Sequence, residues 1–204
     1  MLVTLSYDRE AAVQYALRWA FGRNPLFANF TGIGGDCTNF VSQCVYAGGC
    51  VMNYTPTFGW YYISVNDRAP AWTGVEYFYN FMTGNDDVGP FASETTAGGL
   101  LPGDVIQLGN DMGDFYHTLI VTGFSADGYL ISAHSDDARN RPLNTYTYAN
   151  IRFLHIEGVR TRVAEDVYDT YLRRPDCFRY LLSGGGETIA PESPPTGQRR
   201  PPML

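Results

Sequence analysis

The chain predicts an α+β domain in which N-terminal helices pack on an antiparallel β-sheet, and two observations predict it. Early in the chain, apolar residues recur at three- and four-residue spacing, the period of a helix with one buried face. Later, short β-branched runs follow one another between Gly, Asp and Asn, as in an antiparallel meander. Helices first and strands second describe an α+β arrangement. With 204 residues, 45% of them apolar, the chain is long enough to bury a real core.

The spacing predicts a first helix over Asp8 to Arg23, with Ala12, Tyr15, Ala16, Trp19 and Ala20 on one face and Asn24-Pro25 ending it. The turn Gly32-Ile33-Gly34-Gly35 leads into a second helix, Cys37 to about Ala47, with an apolar stripe of Phe40, Val41, Cys44 and Val45. Gly48-Gly49 is expected to stop it. A loop with Trp60, Tyr61 and Tyr62 precedes a third helix from about Thr73 to Met82. Strands follow at Val105 to Leu108, His117 to Phe124, Tyr129 to His134 and Asn150 to Ile156, with Asp127-Gly128 as the hairpin turn. Val163 to Arg174 reads as a last helix. One domain is expected over residues 1–183, and the Gly/Pro-rich residues 184–204 read as a disordered tail or a linker.

The chemistry concentrates at Gly34-Gly35-Asp36-Cys37-Thr38-Asn39-Phe40. Asp36 suits an N-cap, which places Cys37 in the first turn of the second helix. The unpaired N–H groups and the positive end of the helix dipole there favour an anion. A thiol so placed ionises more readily, and the thiolate attacks carbonyl carbon. The same N–H groups suit the oxyanion that forms. The Asp36 carboxylate works against that ionisation unless its hydrogen bonds hold it away.

A cysteine nucleophile needs a base, and the chain has three histidines. His117 begins a buried strand after the polar loop at 110–114. His134 ends the next strand, before Ser135-Asp136-Asp137. An even hairpin loop near Ala126 and Asp127 puts His117 on the same face as His134 and Asp136, and a one-residue slip reverses this. His117 is then the base for Cys37, and His134, Asp136 or Asn140 orients its ring. His155 reads as a solvent-facing or satisfied strand residue. Trp60, Tyr61, Tyr62 and Tyr116 are candidates for the walls of a cleft or for the core.

Charge and cysteine usage narrow the class. A net charge of −7 argues against nucleic acid, which needs a basic face. No apolar run is long enough for a membrane span, and no signal peptide is visible. Cys37, Cys44, Cys50 and Cys177 form no metal-binding spacing, so neither metal nor organic cofactor is expected. Cys44 reads as a small apolar residue, with a Cys44–Cys50 bridge the minor alternative. A monomer is expected.

The string Gly35-Asp36-Cys37-Thr38-Asn39-Phe40-Val41-Ser42-Gln43-Cys44, with Ala47-Gly48-Gly49, resembles the putative amidase domain family of Gram-positive bacteria. That family is similar to the NlpC/P60 and CHAP groups of papain-like cysteine hydrolases. The resemblance extends over residues 7 to 157 and takes in Tyr7-Asp8-Arg9-Glu10-Ala11-Ala12-Val13, Trp72, Gly103-Asp104-Val105-Ile106, His117 and His134. It implies a papain-like fold, with Cys37 on a central helix against a sheet that carries His117. His134 takes the third catalytic position, in a Cys-His-His triad, better than Asp136 does. It also implies a cysteine amidase or endopeptidase acting on peptidoglycan peptides, secreted or wall-associated. The alternative is a module of the same fold that binds wall peptide or a protein partner without catalysis. Papain's glutamine before the cysteine has no counterpart in residues 28 to 36, so Cys37 N–H needs a second oxyanion donor from elsewhere.

Overall fold

Helix α1 (Arg9–Trp19) starts where Asp8 accepts the Ala11 N–H, and it buries Ala11, Ala12, Tyr15, Ala16 and Trp19 on one face. The computed structural model describes residues 1–163 and 176–185, and in it α1 stops before Arg23. Helix α2 (Asp36–Gly49) is buried on nearly every side, as a central helix must be, and it packs on α1 and on the sheet. Gly48-Gly49 does not stop it. Gly48 completes the last turn because a Cβ there would strike the Tyr7 ring and lie 2.7 Å from the Asp8 carbonyl oxygen. The helix ends at Cys50, in left-handed conformation with φ 54°. The expected third helix is two, α3 (Pro70–Thr73) and α4 (Val75–Gly84), broken by the extended backbone of Gly74.

The strands are β1 (Leu2–Leu5), β2 (Tyr62–Ser64), β3 (Asp67–Arg68), β4 (Gly89–Thr95), β5 (Val105–Gly109), β6 (Phe115–Ser125), β7 (Gly128–Ala133), β8 (Ala138–Pro142) and β9 (Asn150–Arg162). Strands β2 and β3 form a separate small hairpin. The rest form one antiparallel sheet in the order β1-β9-β5-β6-β7-β8, with β4 also on β9. One face carries Val105, Ile120, Leu154 and Ile156 toward the helices. The opposite face carries Ile106, Leu108, Leu119, Val121 and Ile131 in a second, smaller core with Leu143.

The β6–β7 hairpin decides the site. Next to its turn, Ser125 pairs with Gly128 and Phe124 with Tyr129, so odd positions face even ones as expected. A bulge between Val121 and Gly123 then slips the register by one, and Ile120 pairs with Ser132. Thr122 is the extra residue, and its hydroxyl donates to Asn140 Oδ1 at 2.8 Å. Beyond the bulge, even positions share a face with even ones. The expected parity therefore fails where it matters, at His117.

Cys44 packs in the core as a free cysteine, as expected, but Cys50 has a partner that its sequence neighbourhood does not suggest. Cys50 is bridged to Cys177 across 127 residues, while Cys37 and Cys44 are free and buried. The bridge ties the C-terminal end of α2 to the helical segment 176–183. There Leu181 enters the main core, and its carbonyl accepts Asn24 Nδ2 at 2.8 Å. The expected helix over Val163 to Arg174 and most of the expected tail lie outside the described residues. Unfolded without reductant, the protein is expected to alkylate at Cys37 and Cys44 only, with the Cys50 and Cys177 peptides joined in the digest. Four alkylated cysteines would contradict this pairing.

Candidate active site

Asp36 is fully buried, and five groups converge on it. Oδ1 accepts the Phe30 N–H and Asn39 Nδ2, each at 3.1 Å, and Oδ2 accepts Thr31 Oγ1 at 3.2 Å. Arg23 Nε and His134 Nδ1 lie 2.9 and 3.2 Å from Oδ2, at ion-pair distance but off hydrogen-bond alignment. Burial alone raises the pKa of this carboxyl. The His134 imidazole, the Phe30 N–H and the Asn39 amide outweigh burial and hold it well below the usual carboxylate range. Asp36 is thus not the N-cap expected of it. Gly35 takes that place with φ 93°, because a Cβ there would lie 2.7 Å from the Thr73 carbonyl oxygen.

Cys37 follows in the first turn of α2 and is 4% exposed. Burial pushes its thiol up. The Thr118 N–H, the Thr38 hydroxyl and the Thr38 N–H pull it down, and the Asp36 carboxylate pushes it up again. Burial prevails in the free protein, against the expectation of a thiol that ionises readily. The Thr118 N–H, which favours the thiolate, belongs to the residue after His117 on β6.

The three imidazoles are engaged differently. His134 is 1% exposed and stacked on Phe40 at 3.9 Å, with Nε2 3.0 Å from the Trp19 carbonyl oxygen and Nδ1 facing Asp36. It holds the helix start, not His117, because the bulge at Thr122 turns the two onto opposite faces of the hairpin. His155 is satisfied by Asp104, with Nδ1 to Oδ2 at 2.7 Å, and by Arg9 at Nε2. His117 is part-buried beside the Tyr146 ring at 6.0 Å, and among the described residues its nitrogens bond no protein group. Burial lowers its pKa, the Asp136 carboxylate raises it, and Arg141 lowers it. Asp136 therefore acts on His117, whereas Asn140 braces the bulge.

Among the remaining candidates, Trp60 lies in the core at 0% exposure, against Trp72 and Phe81, and donates to Ser42 Oγ. Tyr61 is buried too, and Tyr62 is part-buried on Trp72. Tyr116 is half-exposed and donates to the Thr147 carbonyl. Gln107 has no amide hydrogen left for an oxyanion, since Nε2 donates to Val75 and Thr118, whereas Gln43 accepts Tyr15 at Oε1. Among the described residues no three His, Cys, Asp or Glu side chains gather as metal ligands, and no helix is long and apolar enough to cross a membrane. Arg23, which the sequence marks only as the end of the first helix, belongs to the cluster around Asp36. Its guanidinium also grips both oxygens of Asp137 at 2.9 and 3.0 Å, and no local pattern signals a contact so distant in sequence.

Residues 6–156 match the family described as "Putative amidase domain". The chain belongs to this family. An uncharacterized protein of Bacillus subtilis (strain 168), YhbB, is 37% identical over 141 residues, which cover 66% of this chain and 43% of that protein. The chain thus spans less than half the length of the relative it matches. No solved structure gives a significant match. The stretch matched to the amidase family contains Asp36, Cys37, His117, His134 and Asp136 but not Cys177, so the disulfide anchors a segment outside it.

Replacing Asp36 by Asn leaves Arg23 and His134 facing a neutral group. Breaking a buried ion pair from one side costs about 3 kcal/mol, so urea unfolding at pH 7 is expected to lose about that much. Since folding lowers the pKa of Asp36, its contribution is complete above the unfolded carboxyl's value near 4 and is lost as pH falls further. The difference in Tm between wild type and Asp36→Asn is therefore expected to shrink below about pH 4. An unchanging difference down to pH 2 would contradict the pairing.

Proposed function

We propose that this protein is a cysteine-dependent amide hydrolase of papain-like architecture, similar to the NlpC/P60 and CHAP enzymes. Its substrate is an amide bond in bacterial cell-wall peptidoglycan peptides. The observation that carries the reading is an elimination. Both nitrogens of His134 face partners and His155 is committed to Asp104, so His117 alone offers free nitrogens, next in sequence to Thr118, whose N–H favours the Cys37 thiolate. Membership of the amidase family supplies the bond type. The helix-borne cysteine against an antiparallel sheet supports the papain-like comparison.

The two pKa directions select a mechanism. Burial raises the thiol and lowers the imidazole, so near neutral pH both are uncharged and no thiolate–imidazolium pair stands ready. His117 turns from the Tyr146 ring and takes the thiol proton as Sγ adds to the carbonyl carbon. The resulting imidazolium gives that proton to the departing amine as the tetrahedral intermediate collapses to a thioester. Water, deprotonated by His117, then adds to the thioester and releases the carboxylic acid and Cys37. Asp136 supports the imidazolium. His134 is a positioning residue, acting through Asp36 on the start of α2. Tyr116, exposed beside the base, is a candidate contact for substrate.

Incubation with peptidoglycan and mass spectrometry of the fragments tests this reading. Wild type is expected to release free stem peptides if it is an amidase, or shortened stems if it is an endopeptidase. Cys37→Ala and His117→Ala are each expected to fall by about a thousandfold or more. Hydrolysis by Cys37→Ala at the wild-type rate would refute the mechanism. The acid limb of kcat/KM is expected below the ordinary histidine value near 6.5 and lower still in Asp136→Asn, because Asp136 raises the pKa of His117.

A further inference from the structure

We propose that a buried relay of side chains, running Arg152–Gln107–Thr118–Thr38, points a hydroxyl hydrogen at Cys37 Sγ and favours its thiolate. The inference rests on the reading of Cys37 as nucleophile and adds positioning residues that the Cys–His pair does not include. The relay lies on the helix-facing side of the sheet and ends at the first turn of α2.

The direction of each bond follows from its donor. A guanidinium only donates. Arg152 is fixed between the rings of Tyr79 and Phe115, 3.7 and 3.9 Å from their centroids, and two of its nitrogens meet Glu76 at 3.0 and 3.3 Å. Its Nε donates to Gln107 Oε1 at 2.7 Å, which settles which end of that amide is oxygen. Gln107 Nε2 therefore faces the other way and donates to the Val75 carbonyl at 3.0 Å and to Thr118 Oγ1 at 3.2 Å. Thr118 is fully buried, so no water competes for its hydroxyl hydrogen. Among the described residues its one other side-chain partner is Thr38 Oγ1, at 2.9 Å. Thr38 Oγ1 receives that hydrogen, and its own is left for Cys37 Sγ at 3.8 Å. A donor-only cation at one end thus polarises the chain toward the sulfur at the other.

Three neutral residues, Gln107, Thr118 and Thr38, are each 0% exposed, an expensive placement unless every polar group is used. Their bonds use all of them. The relay also answers the charges around the thiol. Asp36 on the same helix opposes ionisation, tempered by Arg23 and His134, while His117 on β6 is held uncharged. The Thr38 hydroxyl joins the Thr38 and Thr118 N–H groups in opposing burial.

The test reads thiol ionisation without substrate, as the rate of Cys37 alkylation by iodoacetamide against pH on the folded protein, with Cys37→Ala as the background. Thr38→Val is expected to raise the thiol pKa by about one unit, since a hydrogen bond to a charged group is worth about that much. Thr38→Ser is expected to restore the wild-type profile. Gln107→Glu accepts from Arg152 but cannot donate to Thr118, so the relay reverses and the pKa rises. A carboxylate also acts through space, and the double variant separates the two effects. In Thr38→Val, adding Gln107→Glu is expected to produce little further rise. Gln107→Leu, which adds no charge, is expected to raise the pKa as well and serves where Gln107→Glu does not fold. An unchanged profile in Thr38→Val, or a Gln107→Glu shift that persists in full without the Thr38 hydroxyl, would overturn the relay. Either result would leave the nucleophile assignment standing, and that assignment fails only if Cys37→Ala hydrolyses normally.

Discussion

The site is organised around one buried carboxylate, Asp36. A charge at this depth is tolerable only with partners on every side, and the partners come from four places in the chain. Arg23 comes from the turn after α1, Phe30 and Thr31 from the loop, Asn39 from α2 itself, and His134 from the end of β7. Removing any of them leaves the carboxylate less well paired, so the four segments hold their places together. The start of α2 is thereby pinned in position and orientation, and Cys37 with it.

That arrangement has an electrostatic cost at the next residue. A carboxylate beside a thiol opposes the thiolate, and burial opposes it further. The fold answers with N–H groups from Thr38 and Thr118 and with the Arg23 guanidinium that faces Asp36. The result is a thiol held in place more firmly than it is ionised. Under the proposed mechanism such a thiol depends on its base at the moment of attack, and burial favours the neutral form of His117.

Much of this was legible in the residues themselves. The helical period of Phe40, Val41, Cys44 and Val45 located α2, and the β-branched run after His117 located β6. Asp127-Gly128 located the hairpin turn. What escaped were features set by tertiary contact. The first-turn place of Asp36 follows from Thr73 crowding Gly35, which no local pattern encodes. Strands β1 and β4 are edge pairings on β9. Strand β8, Ala-Arg-Asn-Arg-Pro, has almost no β-propensity and pairs because β7 presents an open edge. The partner of Cys50 lies 127 residues away.

The bulge at Thr122 carries the largest lesson about the site. Side chains in a strand alternate with period two, so one inserted residue exchanges the faces of everything beyond it. Without it, His117 and His134 would share a face. With it, His134 and Thr118 turn toward α2, one to hold the carboxylate and the other to hold Thr38. His117 turns toward Tyr146 and Asp136 with its nitrogens free. One histidine becomes part of the frame, and the nitrogens of the other bond no protein group among the described residues. The hydrogen bond from Thr122 to Asn140, a residue held at φ 52°, keeps that slip in register and so keeps the two roles apart.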